Sequence, residues 1–523
     1  MQGTRAADEL KKLVGQDQVL DGEQDLVTYA SDMLPRHQIL KHEAQLPSTL
    51  PVAICFPESV DDVVRVLRFC AAERIPVIPF GAGSGVCGAT VPEEPAVILD
   101  MKRMGRVLEL SEASRCVTVE PGILGERLEE HLQARGFTLG HSPSSVACST
   151  VGGYVACRSA GQYSSRFGKF EDMTLGVEGV SADGTLLRFG TLGRGHHRDP
   201  LVAAVLGSEG TLLVVTKVAL RMEPLPARTD FRGLAFPSVE EGLQCMRRVM
   251  QAPLRPTVMR LYDPLDSFIA GHSHRTPAGE DVHRAAGRFS GLRLLLASAL
   301  TDLNRKGLAA LLYQPGLVNK VAELLPTRPL LVVGVQGSRT AVSRQWDRII
   351  DIAQRSRGED LGPEPGWAWH KRRYAVSHKQ TKVFNAGAFV DTMEVAATWD
   401  GLFPLYKSVL KEMGPHVFVT AHFSHAYEEG CSIYFTFAGY RPSVAAALKV
   451  YQRAWKAGLE TAVRHGATVS HHHSIGVLKR GFLDRESPGA RELFAAFKKA
   501  LDPAGILNPG KLFAVDAQER GAP

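Results

Sequence analysis

An apolar strand, a glycine-rich loop and a second strand follow one another with no helix between them. The segment is PFGAGSGVCGATVPEEPAVILDM, residues 79–101. Gly81, Gly83, Gly85 and Gly88 come directly after IPVIP, a buried-strand pattern. A Rossmann turn would run from such glycines into a helix whose N-terminus takes the phosphate. Here Pro92 and Pro95 interrupt, and AVILD reads as strand. Any anion would then be held by the loop's own backbone N–H groups, as a nest. A tight turn between strands is the other reading of the same glycines.

The flanks predict a mixed α/β domain. Residues 1–50 read as an irregular, partly helical lead-in. VAICF is a short strand, and SVDDVVRVLRFCAAERI is a helix opening at Ser59 with acids in its first turn. CVTVEPGIL (116–124) reads as strand and GERLEEHLQARG (125–136) as helix. Residues 141–173 are rich in Gly, Ser and Thr. A loop that long within a compact domain is functional or hides structure. A strand pair turning at Ala182–Gly184 and a small-residue turn, LGSEGTL, lead to a boundary near 225. A second region alternates strand and helix, with a loop-like insertion at 271–288. VFVTAHFSHAYEEGCSIYFTFAGY (417–440) reads as two strands, and the last 80 residues return to helix.

Composition excludes other classes. Apolar residues are 44% and charged residues 22% of 523, enough apolar surface to fold. The net charge is +6 with no dense Lys/Arg block, so nucleic acid is not an expected partner. None of the eight cysteines forms Cys-x-x-Cys, which points to free thiols in a reducing compartment. No apolar run reaches the roughly 18 residues of a membrane span, and the polar N-terminus lacks an apolar signal core. The chain ends in Gly-Ala-Pro, without a peroxisomal address, so a cytoplasmic setting is expected.

Three ordered motifs carry a resemblance. PFGAGSGVCG (79–88), SSVACSTVGG (144–153) and GSEGTL (207–212) together resemble the FAD domain of the vanillyl-alcohol-oxidase-type oxidoreductases. LDPAGILNPGKLF (501–513) fits the same superfamily. The resemblance implies an α/β (α+β) flavoprotein of two domains, FAD-binding plus cap. The expected division is a lead-in at 1–50, FAD-binding domain at 51–225, cap at 226–450, and a helical return to the flavin site at 451–523. By resemblance Phe80, Gly81, Ala82, Gly83, Ser84 and Gly85 cradle the FAD pyrophosphate. Ser144, Thr150, Cys157, Arg158, Ser159, Ala160, Ser208, Glu209, Gly210 and Thr211 line the cofactor. The glycine loop holds no His, so non-covalent FAD is favoured.

The C-terminal half is similar to alkyldihydroxyacetonephosphate (alkylglycerone-phosphate) synthase. The matching stretches are SHAYEEGCSIYFTF (424–437) and SHHHSIGVLKRGFL (470–483). By itself the triple His also reads as a metal site or an exposed polar run. If extended, it turns His471 and His473 one way and His472 the other. The resemblance makes His472 the base, His471 and His473 supporting donors, Tyr434 the acid, and Arg260 a residue near the flavin. No metal is expected. Two departures stand out. Gln380 replaces the arginine expected to hold the substrate phosphate, with Lys379, Lys382, Arg372 and Arg373 as compensating cations. Ser474 stands where glycine usually follows the triple His.

The implied reaction is redox-neutral. The acyl chain of acyl-dihydroxyacetone phosphate is exchanged for a fatty alcohol, the ether-lipid step, with the flavin as electron sink. The alternative is an FAD-dependent D-2-hydroxy acid (lactate- or glycolate-type) dehydrogenase or other alcohol oxidoreductase. It is favoured by Gln380 and opposed by the absence of a His-Ala-Gly-Asp-Gly segment. Expected partners are a small-molecule or lipid substrate and no nucleic acid, with a homodimer as an option. Peripheral membrane contact through Leu308–Leu325 is weighed against an ordinary buried helix.

Overall fold

The glycine loop does join two strands. In the computed structural model, Val77–Phe80 runs into residues 81–96, and Val97–Asp100 then pairs with it in parallel. The structure describes residues 2–43, 45, 47–190, 199–272, 305–323, 327–375, 383–385 and 387–513. They form two compact units. The first comprises residues 1–37, 45–225 and 469–523; the second comprises 38–44 and 226–468. The return to the first unit starts at Val469 rather than at 451, because the helix Val444–Arg464 belongs to the second unit.

The first unit holds two larger sheets. One has the strand order 19–20, 53–55, 97–100, 77–80. The other is antiparallel, ordered 107–111, 116–119, 214–221, 174–180, 186–189. The helix Val60–Glu73 starts where the sequence predicts. Ser59 Oγ accepts from Asp62 N, and the Asp62 carboxylate accepts from Ser59 N, a reciprocal capping box. Losing Ser59 would cost about 1 kcal/mol. The helix buries Val63, Val66, Leu67 and Cys70 against the first sheet. The Gly/Ser/Thr-rich stretch hides three short helices, Val151–Cys157, Ser164–Phe167 and Phe170–Met173.

The second unit is built on an antiparallel seven-stranded sheet. Its order is 359–360, 228–235, 330–337, 258–262, 418–426, 430–439, 389–398. The helix Val239–Met250, capped by Ser238, buries Leu243, Cys245, Met246 and Val249. The stretch weighed for membrane contact forms the helices Arg305–Tyr313 and Pro315–Glu323. It buries Leu312 and Val318 in a small core with Val390 and Phe418, and exposes Tyr313 and Leu317. Among the described residues no helix is long and apolar enough to cross a membrane. Most of the 271–288 insertion lies outside the described residues.

Candidate active site

The glycine loop is folded as a donor surface. Met33 N donates to the carbonyls of both Gly83 and Gly85, at 3.1 and 3.0 Å. No N–H of residues 81–86 finds an acceptor among the described residues. Gly83 has φ +61°, and a Cβ there would lie 2.7 Å from the Phe80 ring beneath it. At Gly81 a Cβ would lie 2.3 Å from Thr150 Oγ1. Thr150 is buried and caps the helix Val151–Cys157. Phe80 packs on Tyr29, and Lys102 Nζ donates to Gly81 O at 3.0 Å while pairing with buried Asp100. Ala82, Ser84 and Gly85 are half-buried along the same loop. Consecutive free N–H groups beside a lysine suit an anion.

The other predicted cofactor residues divide by environment. Ser144 is exposed and accepts from Gln162 at 3.3 Å. Cys157 ends its helix, and burial pushes its thiol well above the usual range. Arg158 follows in the left-handed conformation, φ 52°, and pairs with Glu171. Both line a cavity of about 280 Å³ with Thr174, Asp199, Val202 and Leu206. Ser159 Oγ lies 3.2 Å from His141 Nε2, and Ala160 is buried. His141 is enclosed by Tyr154 and Phe170, and burial holds its pKa down to about 3. Ser208 O accepts from Thr211 N and Oγ1, and Gly210 has φ +71°.

Glu209 also has a local structural task. Its carboxylate accepts from Ile475 N at 2.5 Å and Gly476 N at 2.9 Å, capping the helix Gly476–Glu486. Burial pushes its pKa up to about 7, opposed by those two N–H groups. A raised carboxyl pKa favours the protonated folded state, so Glu209 costs stability as pH rises from about 4.5 through 7. Glu209→Gln is therefore expected to gain on wild type by up to about 3 kcal/mol over that window. Thermal melts of the apoprotein at pH 5 and pH 8 would show it. A constant difference between variant and wild type would count against it.

The three histidines stand just before that helix, whose first turn is seated on the glycine loop. Val477 N donates to Cys87 O at 3.0 Å, and a Cβ on Gly476 would meet the same oxygen at 2.1 Å. Lys169 Nζ holds His471 O at 3.0 Å from the other side. The segment bends instead of running extended. His471 and His472 do not face apart; their Nδ1 atoms are 3.0 Å apart, and the His473 ring lies 4.5 Å from that of His472. The serine departure falls at a strained position. Ser474 is buried with φ +71°, and its Oγ has no partner among the described residues. Ser474→Gly is expected to stabilise the apoprotein by about 0.5–1 kcal/mol, strain relief outweighing glycine's entropy. A lower melting temperature for the variant would contradict this.

In the second unit one row of the sheet gathers titratable side chains. Glu394 pairs with Tyr434, Tyr434 with His422, and His422 with Tyr262, across four neighbouring strands. Side chains directly opposite share a face. His422 and Tyr434 stack at 4.6 Å and 17°. A register shift between Ser424 and Ala426 marks a bulge at His425, which has φ 52°. That bulge brings His425 Nε2 to 2.8 Å from the Tyr434 hydroxyl. Burial, then the charge of Glu394, raises the Tyr434 phenol well above its usual pKa, so it stays protonated. Arg260, two residues before Tyr262, donates to His422 Nε2 at 2.7 Å. Gln380, Lys379 and Lys382 lie outside the described residues. Arg373 donates to His370 O at 2.6 Å and stacks on Tyr374.

Residues 51–190 match the family described as FAD binding domain, and residues 225–512 match FAD linked oxidases, C-terminal domain. The chain belongs to the FAD-linked oxidases. Alkyldihydroxyacetonephosphate synthase of Trypanosoma brucei brucei is 28% identical over 486 residues, covering 90% of this chain and 75% of the relative. An uncharacterized FAD-linked oxidoreductase of Escherichia coli (strain K12) is 27% identical, covering 98% and 99%. A solved alkyldihydroxyacetonephosphate synthase structure superposes with a TM-score of 0.74 at 24% identity, over 97% of this chain and 84% of that one. The protein is an FAD enzyme with the FAD-binding and cap domains of this fold.

The first unit fits the cofactor. The glycine loop offers unpaired N–H groups where a Cβ would intrude. Asp32 Oδ2, Thr90 Oγ1, His141 Nδ1, Ser474 Oγ and Asn508 Oδ1 are buried without partners among the described residues. A long ligand rich in donors and acceptors suits such atoms. Asp32, His141, Lys169, His422 and His425 were not singled out by sequence reasoning. Only His425, within Ser-His-x-Tyr, carried a signal.

Proposed function

We propose that this enzyme exchanges the acyl chain of acyl-dihydroxyacetone phosphate for a fatty alcohol. The observation that carries the reading is Tyr434: a phenol kept protonated, held by His425, in a row with His422. Such a group can protonate a leaving carboxylate but is poorly suited to act as a base. His472 is the base that takes a proton from the carbon next to the ketone, with His471 and His473 supporting it. Imidazole suits that step near neutral pH. The carboxylate leaves with the proton of Tyr434; the alcohol oxygen takes its place on the same carbon and gives up its proton to Tyr434, and His472 returns its proton to that carbon. Fatty acid and ether are the products, with no net electron transfer. FAD, held by the glycine loop without a covalent tether, supplies an electron sink when bound.

The second reading, an oxidoreductase acting on a 2-hydroxy acid or another alcohol, is favoured by Gln380 and by the Escherichia coli relative. The test incubates FAD-loaded protein with acyl-dihydroxyacetone phosphate and labelled hexadecanol, with no electron acceptor. Label in an ether product, with fatty acid released, is expected. No label, in protein whose flavin a hydroxy acid bleaches, would overturn the proposal.

A further inference from the structure

Arg260 is half-buried, and no carboxylate lies within ion-pair reach of its guanidinium among the described residues. Its Nη2 is met instead by His422 Nε2 at 2.7 Å. The other ring nitrogen, Nδ1, lies 3.1 Å from Asp266 Oδ2. A guanidinium donates and never accepts. Nε2 must therefore present its lone pair to Arg260, and the ring proton must sit on Nδ1, donated to Asp266. Burial, then Arg260, holds the His422 pKa down to about 4 against the opposing pull of Asp266, so the ring is neutral near pH 7. Stacking on Tyr434 and the contact with Tyr262 at 5.7 Å fix the ring plane.

We propose that His422, oriented by Asp266, is a positioning residue that aims Arg260 without neutralising its positive charge. A carboxylate in the place of His422 would hold the guanidinium equally well but cancel its charge. A neutral imidazole holds it and leaves that charge for an anionic group of the substrate, or for negative charge developing during reaction. The catalytic side of this inference rests on the function proposed above; the tautomer does not.

Two measurements test it. In FAD-loaded enzyme labelled with 15N-histidine, the signal missing from His422→Gln belongs to His422. It should report a neutral ring with its proton on Nδ1 at about pH 7. A proton on Nε2, or on both nitrogens, overturns the proposal whatever the substrate is. The exchange assay then compares variants of similar melting temperature. His422→Gln can accept from Arg260 and donate to Asp266, and should keep kcat within about fivefold of wild type. His422→Leu should lose about 100-fold. His422→Glu combined with Asp266→Asn should lose as much, because it holds Arg260 but cancels its charge. Wild-type turnover in the Leu variant or in the double variant overturns the proposal. Absence of ether exchange in wild type would instead refute the proposed function, and the tautomer measurement would still judge the relay.

Discussion

Tyr434→Phe should lower kcat for ether formation by about 10³-fold while FAD binding and melting temperature stay near wild type. The substitution removes one oxygen. The ring remains stacked on His422, so packing of the sheet row is kept. What is lost is the proton donor bonded to His425. Without it the carboxylate must leave unprotonated, and general-acid assistance of this kind is worth about 10²–10⁴-fold. Label exchange at saturating substrate and the flavin absorbance spectrum report the two halves of the prediction. A fall of less than about threefold would make Tyr434 an ordinary core tyrosine.

Gly83→Val should yield protein that purifies colourless and binds added FAD at least about 100-fold more weakly, about 2.7 kcal/mol. A β-branched residue is a strong outlier at φ +61°. Its Cβ would also press on the Phe80 ring at 2.7 Å. Relief requires moving the loop, and with it the N–H groups proposed to hold the cofactor's pyrophosphate. The loop sits between two parallel strands that do not depend on it, so the unit should still fold. Flavin fluorescence titration and a thermal melt separate loss of binding from loss of fold. Unchanged FAD affinity would show that the pyrophosphate lies elsewhere.

The strand–glycine loop–strand arrangement was legible in the sequence because glycine, proline and strand signals are local. Four glycines after a strand, two prolines and a second strand leave little freedom for the chain. The capping box at Ser59 and the strand pair at 417–440 were readable for the same reason. The second half of the site was less so. Three strands place His422 beside Arg260 and Tyr434, the helix Pro264–His272 brings Asp266 to it, and that register is set by distant pairing. His425 reaches Tyr434 through a bulge, an irregularity that strand alternation hides. Glu209 sits in a recognisable motif, yet its carboxylate serves a helix 266 residues further along the chain. Sequence alone does not show whether the triple His runs extended; Glu209 and Lys169 clamp its two ends and it bends.

The proposed reaction of this FAD enzyme transfers no electrons overall. The direct measurement counts electrons and ethers in one mixture. FAD-loaded enzyme would be given acyl-dihydroxyacetone phosphate, labelled fatty alcohol and a reducible dye, and separately D-lactate or glycolate with the same dye. Ether should accumulate in step with released fatty acid, with the dye unreduced in both mixtures. Dye reduced in proportion to a hydroxy acid consumed, with no ether formed, would contradict it.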